Sequence, residues 1–177
     1  MVPPLRDGYD GAKGLNTLAM RTAEALEMHY ELYMRAALAE AAQARRSGER
    51  ANGAVAILDE AMIAHGRESV TNSGDPTAHA VIIALREAAT KLGRTSLQGT
   101  TIFTVVEPCP MCVGALLACD ADGVVFALPD PREGACLSAM RMAEGSGVAR
   151  RLQVVSGILQ DDAAALRPDL AAEGVRN

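Results

Sequence analysis

Between Thr22 and Arg46 apolar side chains return every three or four positions, at Leu26, Tyr30, Tyr33, Ala37 and Ala41, with charged residues between them. That spacing predicts an amphipathic helix, which the polar run "RSGERANG" ends. "GAVAIL" (Gly53 to Leu58) is a short continuous apolar run and reads as a buried strand, with "EAMIAHGRES" as its partner across a tight turn and "VTNSGDP" as loop. Asp75-Pro76-Thr77 has the form of a helix start, a capping side chain followed by a proline whose missing N–H costs nothing. The predicted helix carries Ala78, Ile82, Leu85, Ala89 and Leu92 on one face and stops at Gly93. "TTIFTVV" predicts a strand, Pro110 opens a helix to about Ala118, and "GVVFAL" is another strand. "LQVVSGIL" predicts a fifth strand, followed by a short helix near "DDAAAL". Strands alternating with helices predict an α/β layered sheet.

Length and composition add bounds. The 177 residues fit one domain, expected over residues 21–177 behind a flexible tail at 1–20 rich in Gly, Pro and charge. With 49% apolar and 22% charged residues the chain is too apolar for a disordered one. The formal charge of −5 disfavours a nucleic-acid partner, because phosphate binding calls for a basic face. No stretch approaches the roughly 20 apolar residues that cross a bilayer, and "MVPPLRDGYDGAKG" lacks the apolar core of a signal peptide. A cytoplasmic protein with reduced cysteines is the expectation, and there four cysteines point to metal or catalysis before disulfides.

The chemistry concentrates in His79 and "EPCPMC", Glu107 to Cys112. A C-x-x-C pair and one histidine supply three zinc ligands and leave the fourth tetrahedral position open to water, the layout of a catalytic rather than a structural site. His79 falls just inside one predicted helix start, and Pro110 makes Cys109 the cap of another, so both helix ends favour thiolate and anionic groups. A redox-active cysteine pair is the competing reading, weakened because such a pair needs no histidine on a preceding helix. His29 and His65 read as ordinary surface or core residues, and Cys119 and Cys136 as small packing residues.

"DPTAHA", "EPCPMC", "GALLA", "GVVFAL" and "DPREGA", in that order, resemble the cytidine deaminase superfamily, specifically the branch of guanine deaminases and bacterial tRNA adenosine deaminases. The resemblance runs from about Tyr30 to Leu166. It implies a three-layer α-β-α sandwich around a five-stranded mixed sheet, with Zn²⁺ at the starts of two helices and His79, Cys109 and Cys112 as its ligands. It implies attack of zinc-activated water on a ring carbon bearing an exocyclic amine, with release of ammonia. A glutamate two residues after the histidine carries the protons in that family, and here the position is Val81.

Three explanations of Val81 compete: a substitution in an otherwise active enzyme, a relative that has lost catalysis and binds a ligand or partner, or a shifted acid at Glu68 or Glu107. The first is preferred, since every other motif element is intact. Two further departures bear on substrate. Glu68 stands where the family carries an asparagine that contacts the nucleoside, and Asn52 in "ANGA" stands where it commonly reads P-x-G-A; both are candidate substrate-binding residues, or solvent-facing loop residues. The acidic balance, the lack of Trp and two Phe in predicted buried strands favour a small nucleobase or amino-heterocycle (guanine-, cytosine- or triazine-like) over a tRNA wobble base. A non-catalytic zinc-binding protein is the third reading. The family implies a homodimer, for which the apolar "CVGALLA" helix would serve unless it is buried against the sheet.

Overall fold

The computed structural model describes residues 11–144 and 151–171, with residues 11–27 as helical backbone. Contacts divide the chain into a unit Met1–Tyr30 and a unit Glu31–Asn177. Helix α1 (Gly11–Arg46) runs through both and begins well before the expected Thr22, because Ala, Leu, Lys and Met between positions 12 and 20 are strong helix formers that outweigh Gly11 and Gly14. The expected tail is thus helical from Gly11 onward, and its first ten residues lie outside the described ones.

The unit Glu31–Asn177 is built on five strands: β1 (Gly53–Leu58), β2 (Ala61–Arg67), β3 (Thr101–Val106), β4 (Gly123–Leu128) and β5 (Gln153–Ser156). They lie in the order β2-β1-β3-β4-β5, antiparallel at β2/β1 and β1/β3 and parallel at β3/β4 and β4/β5, the expected mixed sheet. The β1–β2 turn has positive φ at Asp59 and Glu60, as a two-residue hairpin of the sheet's twist requires.

Side chains alternate between two helical layers. On one face Val55 and Phe103, paired in register, meet α1, where Met34, Ala37, Ala41 and Ala44 are buried and Tyr33 packs edge-on to Phe103 at 5.2 Å. On the other, Ala54, Ala56, Ile102, Val124 and Phe126 form one core with helices α3 (Ala80–Leu92) and α4 (Pro110–Ala118). Small residues bring the layers close. A Cβ on Gly53 would fall 2.3 Å from the Ala37 carbonyl oxygen, and one on Gly66 would fall 2.3 Å from that of Ala80.

Between β2 and α3 lies a single turn, α2 (Val70–Ser73), and after β5 come α5 (Gln160–Leu166) and α6 (Pro168–Ala171). Asp75 does not cap α3. Its Oδ1 accepts from the Thr77 N–H (2.8 Å) and the Thr77 hydroxyl (2.7 Å), closing a local turn. The helix then starts at Ala80, with His79 in extended conformation as its N-cap. The Asp-Pro pair is a turn signal as well as a cap signal, and here the turn wins. Ala78, expected on the helix face, is buried just ahead of it.

Candidate metal centre and the cleft around it

Two helix starts meet at the carboxyl end of the parallel strand β3. His79 caps α3, Cys109 caps α4 with Pro110 at its first position, and Cys112 lies in the first turn of α4. The Nδ1 of His79 is 3.6 Å from Cys109 Sγ and 3.7 Å from Cys112 Sγ, and all three donor atoms lie within 4.8 Å of one another. Among the described residues no other group of three His, Cys, Asp or Glu side chains gathers in this way. Zinc bonds of about 2.3 Å to sulfur and about 2.0–2.1 Å to nitrogen at a tetrahedral angle imply an S···N separation of roughly 3.6 Å. Both N···S sides of the triangle therefore have the dimensions of a zinc site, and a three-donor set leaves one coordination position open.

Its electrostatics suit a cation. Without metal, Cys112 shares its proton with Cys109, and together with the His79 contact this brings the Cys109 thiol down to about 4, against the opposing effect of burial. The same sharing, with burial, pushes Cys112 up. The hydrogen bond to Cys109 also raises His79, with a smaller contribution from the charge of Glu68. Two protonated ligands facing one thiolate are what a bound dication would replace.

Val81, on the first turn of α3, lines the adjoining cleft with a side chain only 1% exposed. The cleft holds about 30 Å³, room for about two waters. A ring-sized ligand needs its rim to open, and Arg50 and Glu133 are exposed there.

Both candidate substrate residues line this cleft. Asn52 Oδ1 accepts from Val106 N–H and the Thr104 hydroxyl, each at 3.3 Å, and its amide donates to Glu68 Oε2 at 3.4 Å. Glu68 is no solvent-facing loop residue. It is 2% exposed, and its carboxylate accepts from Arg50 Nη2 (3.0 Å), Asn52 and the Ala80 N–H (3.1 Å). Glu107, the other candidate acid, also lines the cleft but is buried, with its carboxylate taken up by the 130–138 loop. It accepts from the backbone N–H groups of Asp130, Cys136, Leu137 and Ser138 and from the Ser138 hydroxyl. A Cβ on Gly134 would fall 2.4 Å from that carboxyl, which accounts for the glycine in "DPREGA".

Arg50, Asp130, Glu133 and Arg167 also line the cleft and carried no site signal in the sequence. Arg50 is two positions before Asn52, and only its pairing with Glu68 makes it visible. Asp130 and Glu133 lie inside "DPREGA", a recognised motif whose individual side chains had no role attached. Arg167, buried and forked onto Asp169 at 2.9 and 2.7 Å, comes from the far end of the chain. Of the other cysteines and histidines, Cys136 is fully buried, pushed up to about 12 by burial, Cys119 is half-buried at the end of α4, and His65 is an exposed residue of β2.

A mixed five-stranded sheet with a His-Cys-Cys triangle at two helix starts defines a zinc-binding α/β domain of the deaminase kind. The chain belongs to the cytidine and deoxycytidylate deaminase zinc-binding region family, whose pattern matches residues 28–128. It is similar to the tRNA-specific adenosine deaminase of Bacillus subtilis (strain 168), 34% identical over 132 residues that span 75% of this chain and 82% of the relative. It is also similar to the guanine deaminase of the same organism, 39% identical over 101 residues, 56% of this chain and 65% of the relative. A solved structure from work on A-to-I editing by tRNA:A34 deaminases superposes with a TM-score of 0.73 at 31% identity, covering 76% of this chain and 97% of that one. Zinc is the metal of this family, and the His-Cys-Cys triangle fits it.

Proposed function

We propose that His79, Cys109 and Cys112 hold one zinc ion, that the cleft takes a small amino-substituted nucleobase or heterocycle, and that Val81 leaves this deaminase site without its proton carrier. The observation that carries the reading is the triangle of zinc dimensions with an apolar side chain beside it. Bound zinc would supply Lewis acidity that makes a water nucleophilic at neutral pH. His79 and the two cysteines orient it, with the positive ends of α3 and α4 favouring the thiolates. Hydrolytic deamination also needs a group that takes a proton from water and returns protons to the ring nitrogen and the departing amine. Valine can do neither, and loss of such a group costs about 10²–10⁴-fold, more where one group serves several transfers.

Neither carboxylate weighed as a shifted acid, Glu68 or Glu107, is free to stand in. Glu68 is held by three donors and Glu107 by five, all protein groups. The parent activity is therefore deamination, with this chain severely impaired by Val81.

A small base is favoured over tRNA by the −5 charge, the absence of Trp and the burial of Phe103 and Phe126, which leaves neither ring available for base stacking. The tRNA reading has its own support in the 82% of the tRNA-specific relative's length that is matched. The same proposal has the protein cytoplasmic and homodimeric. No helix among the described residues is long and apolar enough to cross a membrane. Helix α4 is apolar on its outer side too, where Met111 and Ala115 line a groove of about 530 Å³ with Ile82 and Leu85 of α3.

The test is ammonia release by the zinc-loaded chain and by Val81→Glu against guanine, adenine, cytosine, amino-triazines and a tRNA anticodon hairpin. Turnover of a free base by the glutamate form alone supports the proposal. Turnover of the hairpin alone transfers it to tRNA, and full turnover by the valine form refutes the impairment. Silence from both forms makes the site a binding platform.

A further inference from the structure

An α-helix begins with backbone N–H groups that have no partner inside the helix, and the N-cap side chain ordinarily accepts from one of them. At α3 and α4 the N-caps are His79 and Cys109, and neither makes a side-chain capping bond, because each points its donor atom at the other. Two ligand-bearing helices thus share one problem: the residue that should cap is occupied elsewhere. Helix α4 solves it with Pro110, which has no N–H at the first position. Helix α3 has Ala80 there, whose N–H is buried and needs an acceptor from another part of the chain.

That acceptor is Glu68. Its Oε2 takes the Ala80 N–H at 3.1 Å from the loop after β2, and the carboxylate is itself fixed from both sides. Asn52 donates to Oε2 and anchors in turn on the Val106 N–H, at the end of the strand that leads into Glu107-Pro108-Cys109. Arg50 holds Oε1 at 3.0 Å. The Ser69 N–H donates to the Ala78 carbonyl at 3.0 Å, tying the next residue to the segment just before His79. A continuous set of hydrogen bonds therefore runs from the strand that delivers the cysteines, through Asn52 and Glu68, to the first amide after the histidine.

We infer that Glu68 is a positioning residue for the metal centre: as the external cap of α3 it fixes the start of the helix and with it the placement of His79 relative to Cys109 and Cys112. The inference rests on the zinc assignment proposed above. Its working part is a hydrogen-bond acceptor at the right reach, with charge secondary, and the two separate by substitution. Glu68→Gln keeps a carbonyl oxygen of the same reach for Ala80 and Asn52, while half-exposed Arg50 can swing away from the new amide. Glu68→Asp keeps the charge but withdraws the oxygens by one methylene.

Zinc dissociation constants are measured by chelator competition on the parent, Glu68→Gln and Glu68→Asp, with thermal unfolding of each metal-free protein alongside. Cobalt(II) absorption spectra report the ligand geometry. The expected result is one zinc per parent chain, Glu68→Gln within about threefold of it, and Glu68→Asp weaker by about 10–100-fold, the usual loss when a partner that orients a ligand is removed. The cobalt bands of Glu68→Asp should be shifted or broadened while those of Glu68→Gln match the parent. Parent-like zinc affinity in Glu68→Asp, even with lowered thermal stability, overturns the inference and leaves a purely structural cap. An equal loss in both variants also overturns it, because a neutral acceptor of the right reach then does not suffice. A parent chain that binds no zinc refutes the zinc assignment instead.

Discussion

Replacing Glu107 by glutamine should destabilise the fold severely, although the two side chains are nearly isosteric. The carboxylate accepts from five donors, three on Oε1 (the N–H groups of Cys136, Leu137 and Ser138) and two on Oε2 (the Asp130 N–H and the Ser138 hydroxyl). An ionised carboxylate has about four acceptor sites and no hydrogen to clash, whereas an amide offers one oxygen with two lone pairs and turns an NH₂ toward the remaining donors. With the amide oxygen in place of Oε1, the two donors on Oε2 lose their acceptor and meet an NH₂ instead. Each buried donor left unsatisfied costs about 1–3 kcal/mol, and donors at the partly buried end of the loop recover some of that from water, so the expected loss is about 3–5 kcal/mol. With a urea m-value of about 2 kcal/mol/M for a domain of this size, the midpoint should fall by about 1.5–2.5 M. Equilibrium urea unfolding by circular dichroism reads this directly, and amide exchange should show loss of protection at Cys136 to Ser138 first. A midpoint within about 0.5 M of the parent would refute the reasoning, since it would mean the donors re-pair at little cost.

Other consequences are open to direct measurement. In the metal-free protein the Cys109 thiol, lowered to about 4, is thiolate throughout the neutral and mildly acidic range, whereas an ordinary thiol is under about 1% ionised at pH 6. Iodoacetamide at pH 6 should therefore label Cys109 first, and zinc should block it; equal labelling of all four cysteines contradicts this. Because Cys112 and His79 are both pushed toward their protonated forms without metal, zinc binding must expel protons and its affinity must fall as pH drops. Calorimetry in buffers of different ionisation enthalpy counts those protons, and a count of zero contradicts the coupling. Gly66→Ala puts a Cβ 2.3 Å from the Ala80 carbonyl, a backbone atom that moves only with α3. It should cost at least about 1–3 kcal/mol and weaken zinc retention, since the strained turn follows His79; unchanged stability and zinc content would count against the tight β2–α3 packing.

The strands were legible because each carries its own local signal. "TIFTVV" and "GVVFAL" are almost wholly buried runs, and burial on both faces erases alternation but leaves a short apolar block bounded by polar residues. The metal triangle was legible for a different reason: C-x-x-C places both sulfurs on one helix start, and Pro110 marks that start in the sequence itself. The start of α3 falls later than its sequence signal because Asp75-Pro76 serves a turn as well as a helix, and only the fold decides between them. Least visible was the cap that α3 does use. Glu68 lies twelve residues before Ala80, and its partners Arg50 and Asn52 come from the far side of a hairpin. No periodicity or motif links such positions; the antiparallel pairing of β1 and β2 brings them together.

The central claim is that this chain holds one zinc on two sulfurs and one imidazole, with a position left open beside Val81. Zinc content together with zinc X-ray absorption on the intact, zinc-loaded protein tests it most directly. The account predicts one zinc per chain, two sulfur ligands at about 2.3 Å and two nitrogen or oxygen ligands at about 2.0–2.1 Å. A shell with three or four sulfurs, or a protein that retains no zinc, would contradict it.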